Sequence, residues 1–123
     1  MSEFFDLRLP FPCRDGFVFR RDESGVWTNV PHLVTHHSPT GFEWGYSGSG
    51  PADLALNIVE FVLRSSGYSG STDRLWRGEC FSLAYALHQD FKRQFIATLS
   101  RDGGFLSYAD VVAWVKEGIV SDE

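Results

Sequence analysis

Residues 37–53 read His-Ser-Pro-Thr-Gly-Phe-Glu-Trp-Gly-Tyr-Ser-Gly-Ser-Gly-Pro-Ala-Asp and run without a break into the apolar stretch 54–63. Three local signals lie end to end here: a Pro/Gly turn, an aromatic strand and a glycine-rich entry into a helix. Pro51 suits a first helical position, because the N–H it lacks would have no partner there, and Gly50 then falls at the cap. Asp53, Asn57, Glu60 and Arg64 recur at spacings of four, three and four and form one polar stripe. Leu54, Ala55, Ile58, Val59, Phe61 and Val62 fill the rest of the surface. The pattern predicts a deeply packed helix with a narrow wet face.

Upstream the chain is strand-like. Residues 17–21 and 26–30 are rich in aromatic and β-branched side chains and flank Asp22-Glu23-Ser24-Gly25, whose glycine suits a positive-φ corner, so a β-hairpin is predicted. A second hairpin is predicted from 32–37 and 42–46 around Ser38-Pro39-Thr40-Gly41, with proline at the second turn position and glycine at the fourth. Its alternation places Phe42, Trp44 and Tyr46 on one face and Glu43 and Gly45 on the other.

Downstream, 65–72 is a loop of small residues and the segment expected to be mobile. A second helix is read over 73–92 from the spacing of Trp76, Cys80, Phe81, Leu83, Ala84, Leu87 and Phe91, with Gly78 weakening its first turns. Residues 95–99 read as a strand and Arg101-Asp102-Gly103-Gly104 as a turn. A last helix begins after Ser107, with Asp110 three residues on in a capping-box-like arrangement, and ends at Gly118. Residues 119–123 are expected to fray. The resulting architecture is α+β: a single domain over 1–123 with an antiparallel sheet of about four to five strands, made of the two N-terminal hairpins and the 95–99 strand. Three helices pack mainly on one face of it.

At 123 residues a chain buries roughly two-thirds of its unfolded surface, enough for one core without covalent staples. No apolar run approaches the ~20 residues that span a bilayer, and 1–12, with Glu3 and Asp6, lacks the pattern of a secretory signal. Cys13 and Cys80 lie far apart without a CxxC partner, which favours reduced thiols in a cytoplasmic protein. A net charge of −5 argues against direct nucleic-acid binding and suits docking on a basic protein surface.

The 37–63 stretch, together with 91–92 through 114–115, resembles a family of small bacterial and phage proteins known only as a domain of unknown function. The shared motif has the form HSPTGFEWGYGGSGPAxLAL, and the one departure is Ser47, where glycine is expected. The resemblance leaves 1–13 outside. It implies no activity, only a setting: small accessory proteins of phages, prophages and bacterial chromosomes, among which inhibitors of host defence are common.

Several constellations invite chemistry. Ser47, Gly48, Ser49 and Gly50 precede a helix start, where free N–H groups and the positive end of the helix dipole favour a phosphate. Trp44 and Tyr46 are the stacking or anchoring aromatics beside that loop, and Glu43 and Asp53 its nearest charges. The loop lacks a Walker lysine, and Asp53 is placed to satisfy the helix N–H groups itself. His32, His36 and His37, with Glu43 near, suggest a metal, but on a strand His32 and His36 share a face that His37 does not, so no three converge without a distant element. Cys80 and His88, two helical turns or ~12 Å apart on one helix, are too distant for a nucleophile and its base.

No catalytic residue, metal or cofactor is assigned. The favoured function is a non-catalytic binding protein acting on a host protein, with Asp22, Glu23, Asp73, Glu79, Asp90 and Asp102 as exposed acids. The alternative is a nucleotide-binding or nucleotide-sequestering protein that uses the 47–53 loop.

Overall fold

The computed structural model describes residues 15–38 and 40–122; Cys13, Pro39 and Glu123 lie outside them. The first hairpin is present as read. Strands β1 (Gly16–Asp22) and β2 (Gly25–Thr28) pair antiparallel, with Asp22 opposite Gly25 and Gly25 at φ 127°. Alternation in β1 sends Phe17 and Phe19 into the core, while Arg20 on the outer face is exposed.

The first helix, α1 (Ser49–Ser65), begins at a Gly48 cap, two residues earlier than Gly50. Every residue from 50 to 63 is buried. The stripe expected to be wet is therefore dry through Asp53, Asn57 and Glu60, and only Arg64 emerges. The reason is tertiary: all sides of the helix are covered, and other parts of the backbone bind its polar side chains.

Two elements read from periodicity are something else. Residues 72–81 form a short hairpin, β3 (Thr72–Arg74) with β4 (Glu79–Phe81), instead of the start of a helix. Gly78 at φ 92° turns the chain there, and Arg64 Nη2 donates to the Glu79 carbonyl at 3.0 Å. Only α2 (Ser82–Phe91) is helical, and it runs into one turn of π-helix at Lys92–Ile96, closed by Ala97 N–H on the Lys92 carbonyl at 2.8 Å. Residues 95–99 are thus not a strand. The Phe95 ring is held against Phe91 and Trp114, and the Ile96 carbonyl accepts from Gly45 N–H at 3.0 Å.

The third strand of the main sheet is β5 (Gly103–Ser107), giving the antiparallel order β2-β1-β5. Gly103 serves close approach: a Cβ there would lie 2.0 Å from the Phe19 carbonyl oxygen. The last helix, α3 (Tyr108–Asp122), carries the expected cap, with Asp110 N–H on Ser107 Oγ at 3.0 Å. It continues past Gly118, which seats α3 on the Leu87 side chain.

The class is α+β with three helices, and the five strands divide into a three-stranded sheet and a two-stranded hairpin. The inner face of the larger sheet meets α1 through the edge-to-face contact of Phe17 and Phe61 at 6.0 Å, and the loop before α1 through Phe19 and Trp44 at 5.5 Å. Burying side chains of this size contributes about 1.5–3 kcal/mol each.

Candidate functional site

The second predicted hairpin is absent, and its absence creates the site. Residues 31–34 and 41–44 adopt no strand, and Thr35 alone bridges, to Arg77. The turn between them survives as a Gly41 N–H bond to the Ser38 carbonyl at 3.4 Å, with Gly41 at φ 114°. The segment takes its hydrogen bonds from the stripe on α1 instead of from a neighbouring strand. Asn57 Oδ1 accepts from Leu33 N–H at 2.6 Å and Val34 N–H at 2.9 Å, and its Nδ2 donates to the Val34 carbonyl at 2.9 Å. One turn earlier, the Asp53 carboxylate accepts from the N–H groups of His36, His37 and Ser38, the shortest at 2.8 Å to His37. Glu60 Oε1 accepts from Phe81 N–H at 2.8 Å, and its Oε2 from Arg64 Nε at 2.7 Å. Asp53 therefore caps a loop, not its own helix, because buried N–H groups without partners cost more than an uncapped helix start.

With its backbone pinned, the loop presents His36 and His37 to α2, which brings Tyr85 and His88. His88 is 1% exposed. Its Nδ1–H donates to the Tyr85 carbonyl at 2.6 Å, which leaves Nε2 as an acceptor. His37 Nε2–H then donates to His88 Nε2 at 2.9 Å, with the rings stacked at 5.1 Å. Burial holds His37 below the ordinary imidazole value, with Asp53 opposing and His36 and Lys92 assisting. Burial likewise lowers His88, against the Tyr85 carbonyl bond. Both rings are neutral at pH 7, and the arrangement suits a proton relay or a shape-holding clamp. His36 stands edge-on to His37 at 4.6 Å, and its Nε2 meets the Tyr85 hydroxyl at 3.3 Å. His36 Nδ1 is buried and finds no hydrogen-bond partner among the described residues.

His32 is drawn away from this group and stacks on Phe42 at 4.5 Å. A distant element does supply a third imidazole, but as a hydrogen-bond partner: among the described residues no group of three or more His, Cys, Asp or Glu could hold a metal ion. Tyr85 and His88 were not read as partners of the loop histidines. The signal available was the i, i+3 placement of Tyr85 and His88 on one helical face.

The 47–50 loop keeps a mixed character. Ser47 and Ser49 are exposed and Gly50 is buried, where a Cβ would lie 2.9 Å from that of Glu43. Of the two aromatics beside it, Trp44 is fully buried, donating from Nε1 to the Arg101 carbonyl at 3.2 Å, so it offers no edge for stacking. Tyr46 is 43% exposed and covers Gly48, where a Cβ would meet its ring at 2.6 Å. Glu43 grips Arg21 through both oxygens, at 2.6 and 3.2 Å, and this bond lowers its pKa. Glu43 and Asp53 are thus each engaged elsewhere and form no acid–base pair. Cys80 lies on β4, buried, its thiol pushed up to about 11 by burial first and by Glu60 and Asp73 second. It is a poor nucleophile, and His88 is occupied by His37 and Tyr85.

These features define a small α+β domain organised around a dry polar helix. Residues 13–73 match the model of a family of unknown function, DUF6166. The match takes in the first hairpin, the loop and α1, and ends on β3, so His36, His37 and Asp53 fall within it while Tyr85 and His88 fall beyond. No curated protein and no solved structure matches the chain. No helix among the described residues is long and apolar enough to cross a membrane.

Proposed function

We propose that this protein works by binding, as a non-catalytic accessory or inhibitory factor, of the phage or mobile-element kind, acting in the cytoplasm on a host protein with a basic surface. What carries the reading is how the chain divides its carboxylates. Asp53 and Glu60 are buried on backbone N–H groups and Glu43 is held by Arg21. Asp22, Glu23, Asp73, Glu79, Asp90 and Asp102 are all exposed, on a chain of net charge −5. Such a surface speeds encounter with a cationic partner and does little for chemistry.

The outer face of the β2-β1-β5 sheet supplies anchors. Trp27 is 50% and Phe105 55% exposed, Arg20 lies over the Trp27 ring at 4.8 Å, and Phe105 sits opposite Val18. Tryptophan and arginine are the residue types that most often dominate binding energy. Asp22 and Glu23 border this face at the hairpin tip.

Native mass spectrometry of the protein purified from its host tests the reading. A co-purified protein at fixed stoichiometry is expected. Its association should slow as salt rises and on charge reversal at Asp22 and Glu23, and Trp27→Ala should speed its release. A co-purified nucleotide without protein would overturn the reading in favour of a nucleotide-binding role, and salt-independent capture would remove its electrostatic basis.

A further inference from the structure

Between the β3–β4 hairpin and α2 lies a cleft of about 280 Å³ lined by His36, Asp73, Arg74, Leu75 and Tyr85. We propose that this cleft binds a small phosphorylated sugar, free or as the sugar-phosphate part of a mononucleotide. The inference is independent of the protein-binding role and concerns a different face.

Four unused polar capacities meet there. Arg74 and Asp73 are exposed, and neither side chain makes a hydrogen bond or ion pair among the described residues. His36 Nδ1 is buried without a partner. The Tyr85 hydroxyl has only the 3.3 Å contact with His36 Nε2, and its residue is 40% exposed. Elsewhere in the described core, polar side chains are paired, so this concentration of spare donors and acceptors in one concavity is distinctive.

The chemistry of the set selects the ligand. The planar guanidinium fork of Arg74 matches two phosphate oxygens. A carboxylate beside it repels a bare anion but accepts from adjacent sugar hydroxyls, as acidic residues do on ribose. An imidazole nitrogen and a phenol add one further bond each, of either sense. The volume falls below the usual ~300–1,000 Å³ of sites for drug-sized molecules, which favours a single sugar phosphate over a larger ligand. The site is also built: Asp53 fixes the backbone at His36, and the edge-on contacts of His36 with His37 and Tyr85 fix its ring.

Isothermal titration calorimetry on the full chain with ribose 5-phosphate, AMP and inorganic phosphate tests the proposal. Saturable binding of ribose 5-phosphate and AMP, tighter than that of inorganic phosphate, is expected. Arg74→Gln should weaken both by ~10-fold or more, the scale of a lost charge-assisted bond. Asp73→Asn should weaken ribose 5-phosphate and AMP while leaving inorganic phosphate unchanged or tighter. Both positions are exposed strand residues, and an unchanged circular dichroism spectrum confirms folding. Absence of saturable binding of the two sugar phosphates overturns the proposal, as does binding of inorganic phosphate alone or binding that survives both substitutions. Loss of binding in Ser49→Asp but not in Arg74→Gln would place the ligand at the start of α1 and overturn it equally.

Discussion

Two polar assemblies hang on the same loop, and they use it in opposite ways. The stripe Asp53-Asn57-Glu60 binds backbone: its oxygens accept main-chain N–H groups from 33–38 and from Phe81. The cluster His36-His37-Tyr85-His88 binds side chain to side chain, through contacts from 2.9 to 3.3 Å, and leaves one buried nitrogen without a partner. The first assembly replaces a missing strand partner, so each of its bonds is architecture. The second keeps spare capacity and neutral, titratable rings, and those are the groups through which a ligand or a proton can act.

The sharpest break of this comparison is Asp53→Ala. Three backbone N–H groups would lose their acceptor in a dry interior, and a loss of about 3–5 kcal/mol in urea unfolding is expected. Asn57→Ala follows, at about 2–3 kcal/mol, since it strands two donors and one acceptor on 33–34. A cost under about 1 kcal/mol at either site would mean that water reaches the stripe and that the assemblies do not differ in kind.

The cluster should answer to pH instead. His37 and His88 are held below the 6.5 of an ordinary imidazole, so the unfolded chain takes up protons first as the medium is acidified. Their contribution is therefore fully present above pH 6.5 and is lost as pH falls from there through the lower folded values. Urea midpoints on either side of that pH should show the decline, and His37→Gln with His88→Gln should flatten it. An unchanged slope in the double variant would assign the acid sensitivity elsewhere. The smallest effect is expected from Tyr85→Phe, which removes one long bond at a half-exposed ring and should cost within about 0.5 kcal/mol. A larger loss would make the cluster as structural as the stripe.

Much of this was legible in local sequence. The Gly25 corner, the β-branched and aromatic residues of 17–30, the 3.6-residue period of 51–64 and the Ser107/Asp110 cap each depend on neighbours within a few positions, and each stands in the structure. The site was legible only in part. His36, His37 and Asp53 could be named as candidates, but their partnership could not, because Asp53 meets its N–H groups 15 to 17 residues away and His37 meets His88 51 residues away.

The misread segments fail for the same reason in different forms. Residues 32–37 and 42–46 have strand composition, yet α1 supplies the bonds that a strand partner would have given. Residues 73–81 have helical spacing, but Glu60 and Arg64 bind the backbone of a hairpin there. Residues 95–99 have β-propensity, and aromatic packing with the Gly45 contact holds 92–96 in a π-turn instead. Gly103 and Gly104 look like a turn, and tertiary contact shows that Gly103 lets a strand approach Phe19.

By itself the sequence determined the α+β class, the first hairpin and two of the helices, because propensity, period and capping act over one or two turns of chain. Only the tertiary structure decided that the polar stripe is dry, that the loop beside it is not a hairpin and that three histidines and a tyrosine meet. Those outcomes depend on which distant group satisfies a buried N–H, and that choice is made by packing after the local elements have formed.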